Sequence, residues 1–190
     1  MEQNMGTTHL RFFSRAEVAK AIGIRPHLLS QWVYEGLVRP FRKLTGTGRK
    51  NEYTFNDIIG IALMTRLVNI GLARENASAI SRAWLRRFDK DLEQQQRVVS
   101  MAESYIEELK ARRSGQLSIV EPPSFPPFYL LVDPIAEDNG GEWIFDREAW
   151  KSLYDSLDGE RMNLHYLLNM KEVIKEVVDY LFEEGFCDES

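Results

Sequence analysis

From Phe13 onward, apolar and polar residues alternate in blocks that predict a run of short helices. Ser14-Arg15-Ala16-Glu17 has the form of a capping box, in which the Ser hydroxyl accepts from the amide three residues on and the Glu carboxylate reaches back to the Ser amide. Val18, Ala19 and Ile22 supply the apolar stripe of a first helix, and Gly23 ends it. A second helix opens with Pro26 at its first position, turns Leu29, Trp32 and Val33 inward and closes at Gly36. Two short helices joined at a glycine predict a helix-turn-helix.

From Leu37 to Tyr53 the pattern changes to a basic stretch with Gly46 and Gly48 at its tip, which predicts a hairpin, or wing. Thr54-Phe55-Asn56-Asp57 starts a third helix, whose Ile58, Ile59, Ile61, Ala62, Leu63, Leu67 and Val68 read as core up to Gly71. Beyond Gly71 a long polar helix is expected to run to about Arg113. Within it Leu85, Phe88, Leu92, Gln95, Val99, Ala102, Ile106 and Leu109 alternate at spacings of three and four, the seam of a coiled coil. The same spacing also fits a helix lying on its own domain, and the polar Gln95 would fix register in a dimer.

Glu121-Pro122-Pro123-Ser124-Phe125-Pro126-Pro127 reads as a stiff connector. After it, Phe128 to Val132 and Trp143 to Phe145 have the look of short strands, as does Leu117 to Val120 before it. Asp146 is placed to cap a helix carrying Ala149, Trp150, Leu153 and Leu157. Asn163 is placed to cap a last helix, with an apolar stripe from Leu164 to Leu181 and Gly185 as its stop.

The net charge of -5 conceals a division. Residues 1–90 carry 15 Lys and Arg against 7 Asp and Glu, a net of +8, whereas residues 91–190 carry 9 against 22, a net of -13. A polyanion would select the first half and be repelled by the second, so nucleic-acid contact belongs to the first. The lone Cys187 with only His9, His27 and His165 gives no metal-ligand spacing, which argues against structural zinc, thiol redox sensing and soft-metal sensing. No metal or cofactor is expected. No run approaches the roughly 18 apolar residues of a membrane helix, and residues 1–10 lack the basic and apolar regions of a signal peptide. The expected compartment is the cytoplasm, with no membrane partner.

Candidate chemistry follows the charge. Arg39, Arg42, Lys43, Arg49 and Lys50 fall in a stretch free of acidic residues, and long cations on a hairpin reach phosphates flanking a groove. On the second helix His27, Gln31 and Tyr34 share an outward face, with Ser30 beside them; a Gln amide pairs with adenine through both its groups. Arg15 and Arg25 stand near helix starts, where guanidinium and helix amides together can hold phosphate. Each of these side chains is equally readable as a solvated surface group. Trp32 reads as core. The carboxylates of the acidic half accompany no nucleophile, phosphate loop or metal cluster, so no enzyme activity is expected. Trp143, Phe145, Trp150 and Tyr154 read either as an effector pocket or as the core of a small domain.

Taken together, Glu17-Val18-Ala19-Lys20, Gly23-Ile24, Leu29, Trp32, Glu35-Gly36-Leu37-Val38 with Pro40, Gly48-Arg49 with Tyr53, and Asp57-Ile58 resemble the mercury-resistance regulator (MerR) superfamily of winged helix-turn-helix proteins, from about Phe13 to Ile80. The resemblance implies DNA binding as a dimer, an antiparallel coiled coil after the binding module, distortion of promoter DNA and a variable C-terminal sensing region. It adds Tyr53 to the wing's DNA-contacting residues. Ser30-Gln31 stand where the family often has Arg-Tyr, so base readout differs here. Residues after 113 carry no recognised resemblance.

The expected fold is mostly α: a winged helix-turn-helix domain over 10–74, a long coiled-coil dimerisation helix over 75–113, a Pro-rich connector over 114–127 and a small α+β effector or interaction domain over 128–190. The expected function is a dimeric, sequence-specific transcriptional regulator on an inverted-repeat operator. Its partners are double-stranded DNA and its own second copy, with a small-molecule effector or RNA polymerase as further candidates. The alternative is a phage-type or architectural DNA-binding protein whose acidic C-terminal domain binds protein.

Overall fold

A computed structural model describes residues 12–43, 51–88, 92–115, 129–132, 141–144 and 166–185. It is mostly helical. Strand β1 (Phe13–Ser14) leads into α1 (Arg15–Ala21) and α2 (Pro26–Tyr34). Strand β2 (Glu52–Tyr53) precedes α3 (Phe55–Asn69), followed by α4 (Arg74–Phe88) and α5 (Leu92–Arg113). Strands β3 (Tyr129–Val132), β4 (Gly141–Ile144) and β5 (Tyr166–Asn169) then give way to α6 (Met170–Glu183).

The local signals act as expected at the N-terminal helices. Ser14 and Thr54 each form a complete capping box, with Glu17 and Asp57 returning to the cap amides at 2.6 and 2.8 Å. Pro26 occupies the start of α2, and Gly23 and Gly36 leave α1 and α2 with φ of 69° and 74°, a region that costs glycine no Cβ clash. A two-residue strand is too short to leave a periodic signal, yet β1 pairs antiparallel with β2, joining Phe13 to Tyr53. Arg42 extends this sheet from the other side through reciprocal backbone bonds with Glu52, at 3.2 and 3.1 Å. The root of the hairpin is thus a three-part ladder; residues 44–50, which hold its predicted tip, lie outside the described residues.

The long helix expected beyond Gly71 is described in two stretches, α4 and α5, and residues 89–91 between them lie outside the described residues. Helix α4 is amphipathic and lies on α3. Its Leu85 rests so close to Gly60 that a Cβ there would stand 2.7 Å from a Leu85 methyl. Buried Ser81 donates to the Gly60 carbonyl at 2.6 Å, and Ser78 to the Leu37 carbonyl at 2.6 Å, fastening α4 to both α3 and the exit of α2.

The last predicted helix also begins later than expected. Residues 166–169 form β5, so the Leu164 to Asn169 part of the stripe is not helical at its described residues. A continuous apolar run is ambiguous between strand and helix, and pairing with β3 decides it here. The three strands form an antiparallel sheet in the order β4-β3-β5, with Leu130 opposite both Trp143 and Leu168. The expected strand at 117–120 and the expected helix after Asp146 lie outside the described residues.

Helix α6 does not stay with this sheet alone. It packs against α1, α3 and α5, burying Met170, Val173, Ile174, Val177, Val178 and Leu181 in the same cluster as Val18, Ile58 and Leu63, with Phe182 buried as well. Each such side chain contributes about 1.5–3 kcal/mol on leaving water, so this face dominates the attachment. Polar contacts at its edges set the register: Lys20 pairs with Glu184 at 2.6 Å, Arg66 pairs with Glu176, and Tyr105 donates to Asp179 at 2.6 Å. Exposed pairs of this kind add little stability. Among the described residues no helix is long and apolar enough to cross a membrane, and no group of acidic, His or Cys side chains has the arrangement of a metal site.

Two outcomes follow from the shared core. Ile174→Ala is expected to destabilise the chain by about 2–4 kcal/mol, and because the cavity opens against α1 and α3, hydrogen exchange in those helices should accelerate along with that of α6. Exchange confined to α6 would mean that it is only loosely attached. Tyr105 is the second case: burial first, and then its bond to Asp179, push its phenol above the ordinary tyrosine range. The native state therefore keeps a proton that the unfolded state releases from about pH 10, and stability should fall as pH rises past that value. Tyr105→Phe should flatten the alkaline limb of a denaturation-against-pH profile.

Candidate nucleic-acid interface

Helix α2 separates two duties by face. Leu29, Trp32 and Val33 are buried, while Arg25, His27, Gln31 and Tyr34 are exposed and Ser30 is half-buried. Tyr34 is 91% exposed, unusual for a tyrosine whose ring serves no packing role. The outward side chains are held by bonds that are easily exchanged. Gln31 Nε2 donates to Glu35 Oε1 at 2.7 Å, one turn along the helix. Ser30 Oγ accepts from Arg15 Nη1 at 2.7 Å and donates to the Pro26 carbonyl at 3.0 Å. The Arg15 bond ties the start of α1 to the outward face of α2, so one guanidinium and the polar row of the second helix form a continuous surface.

The root of the wing lies against α1, whose first residue Arg15 reaches this row. Arg39, Arg42 and Lys43 are exposed. Arg42 lies 3.4 Å from Glu52 and also caps two stacked phenyl rings, those of Phe12 and Phe41. Arg49 and Lys50, expected to contact phosphate, lie outside the described residues. Tyr53 is placed otherwise than a contact residue would be. It is completely buried opposite Phe13, and burial raises its phenol pKa, so it supports the wing root from within and shows no surface to a polyanion.

The predicted seam divides between helices and faces. Leu85 lies in α4 against Gly60. In α5 the buried line is Val98, Met101 and Ala102, continued by half-buried Tyr105, Ile106 and Leu109, so it keeps Ala102, Ile106 and Leu109 of the predicted seam and is rotated from it toward Val98, Met101 and Tyr105. The rotation has a plain cause: α6 covers this side of α5. Val99 is half-buried at the edge of the covered face, and the side chains of Phe88, Leu92 and Gln95 lie outside the described residues. Of the aromatic set, Trp143 falls in β4 opposite Leu130, while Phe145, Trp150 and Tyr154 lie outside the described residues. Sequence reasoning missed Phe12 and Phe41; the only signal was a pair of aromatics bordering a basic run, a pattern that ordinary core residues share.

A short helix, a glycine turn and a second helix with a buried apolar face and a free polar face define a helix-turn-helix DNA-binding module. Residues 13–89 match the family model described as MerR HTH family regulatory protein, so this N-terminal segment is similar to the helix-turn-helix of that family. The match points to a DNA-binding transcriptional regulator. No curated protein matches the chain.

Gln31→Ala removes the one outward amide on α2 without touching the core. It is expected to cost about 1–3 kcal/mol on the preferred site and to relax the preference at one base position, as read by binding selection on randomised duplexes. Equal loss on every duplex would reassign Gln31 to backbone contact.

Proposed function

We propose that the chain is a dimeric transcriptional regulator that reads an inverted-repeat operator. The observation that carries this reading is the exposed polar face of α2, joined through Arg15 and Ser30 to α1, against which the wing root with its exposed cations also lies. In the proposed complex α2 enters the major groove, with Gln31, His27 and Tyr34 toward the bases. Arg15, Arg25, Arg42 and Lys43 take phosphates on either side, joined by Arg49 and Lys50 from the wing.

Two such modules need a fixed separation. The proposed spacer is α5, which in this reading pairs with its counterpart in the second copy along the edge that carries Leu92 and Val99, one heptad apart, beside the face that α6 covers. Bending or twisting of the promoter would follow from holding both modules rigidly. Signal enters, in the same reading, through the β3–β5 sheet, since β5 runs directly into α6 and α6 rests on the helix-turn-helix. A small-molecule effector or RNA polymerase acting on that sheet would be linked to DNA affinity by a reciprocal coupling.

The deciding experiment is a genome-wide footprint of the bound DNA, paired with the salt dependence of binding to a recovered site. Inverted half-sites and an affinity falling steeply with salt are expected; single, unpaired sites or a flat salt response would overturn the reading. The dimer has its own check. Replacing Leu92 and Val99 together with Glu should convert a sedimenting dimer into a folded monomer, because unmatched charges cannot share a dry seam. A double variant that stays dimeric places the interface elsewhere.

A further inference from the structure

Phe12 and Phe41 are large apolar side chains with 44% and 57% of their surface in solvent, on a module whose other aromatics are mostly buried. Their rings stack with centroids 5.3 Å apart and planes 20° from parallel. The Arg42 guanidinium stands over both, 5.0 Å from Phe12 and 5.7 Å from Phe41. Two phenyl rings held in this way form a preorganised apolar plate with a cation at its edge. The backbone beneath is pinned at each side. Phe41 N donates to Asp57 Oδ2 at 3.2 Å, the same carboxylate that closes the α3 capping box, and Phe12 immediately precedes β1 in the sheet. A plate held this firmly loses little freedom on binding.

We propose that the Phe12–Phe41 plate packs on the deoxyribose faces of a DNA strand at the groove edge, while Arg42 takes the adjoining phosphate. This rests on the DNA-binding reading above and adds a non-electrostatic contact to it. Charge selects the occupant: Arg42 stands over the plate, and Arg39 and Lys43, both exposed, lie within two residues of Phe41 along the chain, a set of cations that suits a polyanion and opposes burial against a second basic module. Glu52 does not block the phosphate, because it engages one Nη at 3.4 Å and the planar guanidinium has further donors to offer. Sugar packing carries no base code, so the plate strengthens binding on every sequence alike.

The test uses the full-length chain and a recovered operator duplex, with a scrambled duplex beside it. The double variant Phe12→Ala/Phe41→Ala should lose about tenfold in affinity on both duplexes, the scale of burying two half-exposed rings. Its slope of log affinity against log salt should stay as in the unaltered chain, since no cation is removed. Phe12→Leu/Phe41→Leu, which keeps apolar bulk, should recover part of the loss, and thermal unfolding controls for folding. Affinity unchanged from the unaltered chain overturns the proposal, and if the variant's sedimentation changes at the same time, a second copy is the occupant. Lost affinity with a shallower salt slope also overturns it, because the rings then act only by placing Arg42. Should the unaltered chain bind no duplex at all, the DNA-binding reading itself fails, a result distinct from each of these.

Discussion

The apolar face of α6 is the contact on which the arrangement depends. Seven side chains from Met170 to Phe182 are buried against helices that end more than fifty residues before them, and each contributes about as much as several exposed ion pairs. Without that face, Val18 and Ala19 of α1 and the neighbouring side of α3 would lose part of their cover. The two pairs formed by Lys20 and Arg66, and the Tyr105–Asp179 bond, rim the face and hold it in one register. The acidic C-terminal half and the basic N-terminal half therefore meet through charge at their shared boundary, although burial supplies the adhesion.

This arrangement bears on how the helix-turn-helix is presented. With α3 covered by α4 on one side and α6 on another, α2 is free to turn its polar row outward. The close approach of α4 requires Gly60, since Leu85 occupies the space a side chain would need, and the buried hydroxyls of Ser78 and Ser81 are satisfied by the Leu37 and Gly60 carbonyls. The module is rigid behind and adjustable in front, where Gln31 and Ser30 hold bonds that DNA can replace.

Much of this was legible along the chain. Both capping boxes, Pro26 at a helix start, and the glycines that end α1, α2 and α3 act over a few neighbouring residues, so their sequence signal is also their physical cause. The outward row of α2 was legible for the same reason: its apolar partners Leu29, Trp32 and Val33 leave only one face for His27, Gln31 and Tyr34. The residues that sequence placed less well depend on distant partners. Tyr53 carries a polar group in a basic hairpin, which reads as surface, yet pairing with Phe13 across forty residues buries it. The rotated line of α5 has the same origin, because the spacing permits either face and the position of α6 selects one.

The sequence by itself determined where the N-terminal helices start and stop, which side of α2 is apolar and which half of the chain is basic, since these follow from residue type within a turn or two and from simple charge. Tertiary structure alone decided that residues 166–169 are a strand, that α6 returns to the helix-turn-helix, and that Phe12, Phe41 and Arg42 form one exposed cluster. Each of those outcomes is a competition among partners far apart in the chain. Periodicity ranks the faces of one element but carries no information about which distant face will cover it.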